Sequence, residues 1–171
     1  MNDLNELRAQ IDALDDQLHD LLMQRFQITG QVAAAKGAQN DPSLIPRPAR
    51  ERSIVERLIE RHDGALPPRS LVRIWREIMG AACHQQGDFR IGVIAAPLSH
   101  LGQGVREHFG TAVRLEFGDQ ADIFAKLAAR DLALAVLDMA DTVPAHFHEI
   151  SELRIEGGAI GRLVSIHDLD Q

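Results

Sequence analysis

Four polar side chains in the first half of this chain stand where hydrocarbon is due. Arg25 falls four residues after Leu21, on a stripe that runs Leu4, Leu7, Ile11, Leu14, Leu18, Leu21 and resumes at Ile28, Val32 and Ala35. Lys36 follows at the end of the same stripe. Glu51 begins the series Ile54, Val55, Leu58, Ile59, and Gln86 continues the one formed by Leu71, Trp75, Ile78, Met79 and Ala82. A charge on an inward face costs several kcal/mol unless a partner meets it, and no acid lies three or four residues from Arg25. One such residue near a helix end is a snorkelling or capping group. Four together describe a polar pocket, which is where a helical bundle keeps a ligand.

The steps of three and four mark three helices: a long one over Leu4 to Lys36 ending near Gly37, a short one from Pro48 to Asp63-Gly64, and a third opened by Pro67-Pro68. In the first, Arg25 and Lys36 are 11 residues apart, which leaves them about 20° apart in azimuth and roughly 16 Å along the axis. Two long cationic side chains so placed can close on one small anion between them. Arg8 lies about 25 Å from Arg25 and about 100° round the helix. It reaches the same ligand only from a second, antiparallel copy. The first helix is also about 48 Å long, too long for its two successors to cover, so its bare portion calls for another subunit.

The chain has 171 residues, enough to bury a core as one larger domain or two small ones. It shows no apolar run of membrane-spanning length and no secretory signal, and its single cysteine, Cys83, excludes an internal disulfide framework, so a reducing cytoplasm is expected. A formal net charge of −7 argues against a nucleic-acid binder. Residues 1–87 hold 11 Lys+Arg against 12 Asp+Glu, and residues 88–171 hold 7 against 13. Basic groups are thus available for a site in the first half, while the second presents an acidic surface.

Gly87-Asp88 marks a boundary. Beyond it, strands are expected at Phe89–Ala95, Thr111–Phe117 and Leu132–Leu137, with helices at about Leu101–Phe109 and Asp119–Arg130 between them. Ile150–Glu156 and Ala159–Ile166, around Gly157-Gly158, read as a hairpin. The expected architecture is multidomain: a helical domain over 1–87 and a small α/β domain over 88–171.

Residues 4–86 resemble the all-helical chorismate mutase family, of the kind fused to prephenate dehydratase in many bacteria. The resemblance rests on Leu7-Arg8, Ile11-Asp12-Ala13-Leu14-Asp15, Leu21-Leu22, Arg25, Ala35-Lys36, Arg50-Glu51-Arg52 and Gln86. It implies an intertwined helical homodimer with two equivalent sites, each borrowing one arginine from the partner chain. The implied reaction is the pericyclic rearrangement of chorismate to prephenate on the route to phenylalanine and tyrosine, with no metal or cofactor. By resemblance, Arg8 of the partner and Arg25 hold the two carboxylates, Lys36 and Gln86 donate to the ether oxygen, and Glu51 accepts from the ring hydroxyl. Arg47, Arg50 and Ala82 line the same site.

Two departures accompany it. Where the family commonly carries an acid one turn before the glutamate, this chain has Arg47, placed to pair with Glu51 at i+4. Gln86 replaces a glutamate, so its donor needs no protonation. The second half resembles a degenerate first lobe of prephenate dehydratase, opened by Ile91-Gly92-Val93, with Ala95-Ala96-Pro97-Leu98 in place of the family's glycine turn. Lacking the second lobe and the threonine-containing motif, it implies no dehydratase activity but a structural or regulatory remnant. Two other readings predict different outcomes: an isochorismate pyruvate-lyase gives a different product, and a non-catalytic sensor dimer gives no turnover. A histidine metal site built from His100, His108, His146, His148 and His167 is set aside in favour of ordinary surface histidines.

Overall fold

The computed structural model describes residues 3–38, 48–87, 90–155 and 158–166. Along them lie α1 (Leu4–Ala38), α2 (Pro48–Glu60), α3 (Pro68–Gln86), β1 (Arg90–Val93), α4 (His100–Phe109), β2 (Arg114–Phe117), α5 (Gln120–Ala128), β3 (Leu134–Leu137), β4 (His148–Ile155) and β5 (Gly158–Ser165). The chain forms two compact units, Met1–Asp41 and Pro42–Gln171.

The first unit is α1, 35 residues without a break and about 52 Å long. Glu6 in its first turn accepts from the Asp3 N–H at 3.3 Å and so takes up a donor that the helix start leaves unmade. The apolar stripe read from the sequence lies exposed along it, from Leu4 to Val32, with Leu21 and Ile28 at 60% and 61%.

In the second unit the five strands form one mixed sheet in the order β2-β1-β3-β5-β4. β1 pairs in parallel with β2 and with β3, and β5 runs antiparallel to β3 and β4. Alternation along the strands sends side chains to two cores. Ile91, Val93, Leu134 and Val136 meet Leu101, Val105 and Phe109 of α4 on one face, and Ala135, Leu137 and Val164 meet Ile123, Phe124 and Leu127 of α5 on the other. The strands are short and fully buried at the centre, which is why they read as continuous apolar runs.

Three strands are shorter than the sequence pattern suggests: β3 begins at Leu134 and not at Leu132, and β1 and β2 are cut short for local reasons, Phe89 lying outside the described residues. β1 stops at Val93; one further ladder bond, Ile94 N–H to the Val136 carbonyl at 2.8 Å, precedes the turn that Pro97 enters. β2 begins at Arg114 and not at Thr111, because the Thr111 N–H and hydroxyl both donate to the Glu77 carboxylate at 2.9 Å. β4 and β5 pair as the expected antiparallel strands, but β4 starts two residues earlier, at His148, and β5 takes in Gly158, with register shifts between Glu149 and Ser151 and between Leu153 and Arg154; Glu156 and Gly157 lie outside the described residues.

Helix α3 lies against α4. Gly80 meets the chain at Phe109, where a Cβ would press into the Phe109 carbonyl oxygen. Around this approach, Arg73 pairs with Glu107 at 2.5 Å and Glu77 holds Thr111. Gly110, at φ +77°, closes α4 by donating to the Arg106 carbonyl, a conformation that suits glycine. The change of architecture at residue 87 therefore falls inside the second unit, where α3 packs on α4 and Arg52 of α2 donates to the Ser151 hydroxyl of β4 at 3.0 Å.

Candidate active site

The residues singled out for chemistry are carried by helices in both units. On α1, Arg8 is exposed and Arg25 half-buried. The helix is unbroken from Arg8 through Lys36, so the spacings derived above for an ideal helix hold along it. The Thr29 hydroxyl donates to the Arg25 carbonyl at 3.0 Å, a back-bond within the helix that leaves its axis continuous. The Lys36 side chain lies outside the described ones, as does the whole of Arg47.

In the second unit, Glu51 sits in the first turn of α2 and points at α3. Its Oε2 accepts from the Arg76 guanidinium at 3.0 Å, and the two side chains are only 13% and 16% exposed. Its Oε1 is 4.0 Å from the Cys83 thiol, a weak donor. Met79, Gly80, Phe109 and Val113 wall the remaining gap, whose volume of about 10 Å³ is at the lower limit for one water. Burial pushes the Glu51 carboxyl above the ordinary carboxylate range, and Arg76 opposes that shift without cancelling it.

His108 completes this cluster from α4. Its Nε2 is 3.4 Å from an Arg76 nitrogen, and its ring meets Phe109 edge-on at 4.8 Å. Burial holds the imidazole neutral, with help from the Arg76 and Arg52 charges, and lowers its pKa to about 3. A neutral ring nitrogen can accept from a guanidinium, so Arg76 bridges an acid on α2 and an imidazole on α4. This corrects the reading of His108 as an ordinary surface histidine: the ring turns inward onto Arg76.

The other sequence-derived positions behave differently. Gln86 is half-buried, and its amide donates to the Ala82 carbonyl one turn back at 3.3 Å, while Ala82 itself is 5% exposed. Arg50 is exposed on α2, its carbonyl accepting from the Ser53 hydroxyl at 2.9 Å. Ala82 and Gln86 thus share a face of α3 through a contact within that helix, whereas Glu51 meets α3 at Arg76 and Cys83. Arg76 and His108 were missed because they lie 25 and 57 residues from Glu51, and nothing local couples them. Arg76 carried no signal of its own, because its face of α3 also holds Arg69, Arg73 and Glu77 and reads as solvated surface. No group of three potential metal ligands occurs among the described residues, and none of the helices there is long and apolar enough to cross a membrane.

Residues 7–87 match the sequence model of the family described as chorismate mutase type II. The bifunctional chorismate mutase/prephenate dehydratase of Aquifex aeolicus is 26% identical over 148 residues, covering 84% of this chain and 40% of that protein. The protein of the same name from Stutzerimonas stutzeri is 27% identical over 113 residues, 64% of this chain and 31% of its own length. The counterpart from Pseudomonas aeruginosa is 26% identical over a stretch of equal size. This chain therefore spans about a third to two-fifths of the length of these relatives. No solved structure matches it. A half-buried arginine on a long helix, a largely buried glutamate on the second and a glutamine closing the third all stand within residues 7–87, the stretch that matches the chorismate mutase type II model.

Proposed function

We propose that this protein catalyses the rearrangement of chorismate to prephenate, as the first step that commits chorismate to phenylalanine and tyrosine. The observation that carries the reading is the family match across the stretch that holds Arg8, Arg25, Lys36, Glu51 and Gln86. The active form is a homodimer in which α1 pairs with its copy. Residues 1–87 form the mutase domain, and 88–171 form a lobe of the dehydratase kind.

The reaction is unimolecular: an ether carbon–oxygen bond breaks while a carbon–carbon bond forms, so no nucleophile is needed. Arg25 and the Arg8 contributed by the second copy clamp the two carboxylates and hold the flexible substrate near its reactive chair. Lys36 and the Gln86 amide donate to the ether oxygen, where negative charge grows in the transition state. Glu51 accepts from the ring hydroxyl. Its Oε1, which the Cys83 thiol approaches at 4.0 Å, keeps acceptor capacity for this while Oε2 stays on Arg76, since a carboxylate offers about four acceptor positions. A millionfold acceleration needs roughly 8 kcal/mol, which a few charge-assisted hydrogen bonds of about 1.5 to 3 kcal/mol supply when they tighten in the transition state.

The test is direct. Purified protein given chorismate should consume it and yield prephenate, identified by its acid conversion to phenylpyruvate. Arg25→Ala and Lys36→Ala should abolish turnover and leave the helical content unchanged. Full turnover by either variant would overturn the assignment of roles, and release of pyruvate with a hydroxybenzoate from isochorismate would identify a lyase instead.

A further inference from the structure

Helices α3 and α4 approach most closely at Gly80, where the Phe109 carbonyl leaves no room for a Cβ. Arg76 stands one turn before Gly80 and His108 one residue before Phe109, so the packing of the two helices brings these side chains together. A single atom, Nη1 of Arg76, serves two neighbours: it donates to Glu51 Oε2 at 3.0 Å and lies 3.4 Å from His108 Nε2. That nitrogen carries two N–H groups held in the guanidinium plane, so an acceptor on each fixes the roll of the plane as well as its position. A carboxylate alone leaves a long side chain more of its rotamers.

The imidazole is itself held. Its ring meets Phe109 edge-on at 4.8 Å, and Phe109 is buried in the core that α4 shares with β1 and β3. Arg76 on α3 and Arg52 on α2 act on the ring, with Glu51 behind Arg76; Glu107 beside it pairs with Arg73 at 2.5 Å, and Arg69 and Arg154 line the same cavity. Burial and the Arg76 and Arg52 charges keep the ring neutral, the form in which Nε2 can accept. A second tie runs nearby: Arg52, next to Glu51 in the chain, donates to the Ser151 hydroxyl of β4 at 3.0 Å. Both ties join the start of α2 to the α/β layer.

We propose that His108 is a positioning residue for Glu51: by accepting from Arg76 it fixes the guanidinium that aims the carboxylate, so the α/β layer sets the geometry of this part of the mutase site. The effect on turnover rests on the mutase reading above, whereas the coupling of His108 to Glu51 does not.

His108→Leu removes the acceptor at similar bulk, and His108→Gln keeps one. In chorismate turnover by the full chain, His108→Leu should lower kcat/KM about fivefold, half the loss expected for Arg76→Gln. It should also move the acidic limb to higher pH, since a loosened Arg76 opposes the burial of Glu51 less. His108→Gln should recover most of both. Because the two residues act in series, His108→Leu combined with Arg76→Gln should lose about tenfold, as Arg76→Gln does alone, and not the roughly fiftyfold of independent effects. The Glu51 carboxyl carbon, titrated by NMR without substrate, should shift in the same direction in His108→Leu and return in His108→Gln. An unmoved titration, a His108→Gln variant as altered as His108→Leu, or a fiftyfold loss in the double variant would each overturn the proposal. If His108→Leu fails to fold, ring-nitrogen NMR of the parent decides: at neutral pH the proton should sit on Nδ1, and a proton on Nε2 would contradict the proposal. A parent inactive on chorismate whose Glu51 titration still answers to His108 would remove the mutase reading and leave the coupling standing.

Discussion

Glu51 is a carboxylate kept from water by the chain itself, and its chemistry follows from that. With its pKa raised by burial, the ionised form needed to accept the substrate hydroxyl is lost on acidification at a pH above the usual glutamate value of about 4.3. The rate of chorismate turnover should therefore fall along an acidic limb that Glu51→Gln removes, at a lowered plateau. Arg76 acts through Glu51. Arg76→Gln should lower kcat/KM about tenfold, close to the loss of one charge-assisted hydrogen bond, and should move the acidic limb to higher pH; Arg76→Lys should restore part of both. No shift of the limb in Arg76→Gln would remove Arg76 from the site. His108 gives a separate test. Its pKa falls from about 6.5 unfolded to about 3 folded, so the folded state binds fewer protons between those values. Stability is full above pH 6.5 and is lost as pH falls toward 3. Glu51 contributes in the opposite sense, so the comparison of interest is with His108→Gln: denaturant unfolding at pH 7 and pH 4 should show this variant losing about 2 kcal/mol less than the parent, allowing for solvent relaxation. Arg25, Glu51 and Gln86 were visible in the sequence because each interrupts a stripe. Arg76 and His108 were invisible because their partners are distant along the chain.

Helix α3 has two working faces, and only one of them follows the apolar pattern. The series Leu71, Trp75, Ile78, Met79, Ala82 is legible because hydrophobic spacing advertises it. The face toward α4 is written in Arg73, Arg76, Glu77 and Gly80, which pair with or approach Glu107, His108, Thr111 and Phe109. Polar and small residues of this kind read as solvated surface until the opposing helix is known. The late start of β2 has the same origin, since Glu77 takes the Thr111 backbone N–H that a ladder would have used. Gly80 makes the point quantitative. On propensity alone, Gly80→Ala should stabilise α3 by about 1 kcal/mol. The Cβ would meet the Phe109 carbonyl, and such overpacking costs about 1–3 kcal/mol. A net loss of up to about 2 kcal/mol in urea unfolding is expected; a gain would show that the α3–α4 approach is looser than described.

At the scale of the whole molecule, α1 is the element that most needs company. An apolar stripe exposed from Leu4 to Val32 over about eight turns is far more than a solitary helix carries to water. In the proposed dimer a second copy would cover the stripe, and an antiparallel arrangement would bring Arg8 of one chain toward Arg25 of the other. Replacing Leu14 and Leu18 by glutamate should yield a monomer by sedimentation and should remove mutase activity along with the dimer. The order of elements in the second half was legible because strand and helix periodicities alternate there. The packing of α2 and α3 on that layer was not, because it depends on charges whose partners lie across the fold.

The central claim, that each site takes Arg25 from one chain and Arg8 from the other, is tested most directly by mixing two dead proteins. Arg8→Ala and Arg25→Ala should each be inactive alone. After unfolding and refolding together, half of the dimers should pair one variant with the other, and each of these holds one intact site, so about a quarter of the parental activity should return. No recovery in a mixture shown to contain mixed dimers would contradict the shared site.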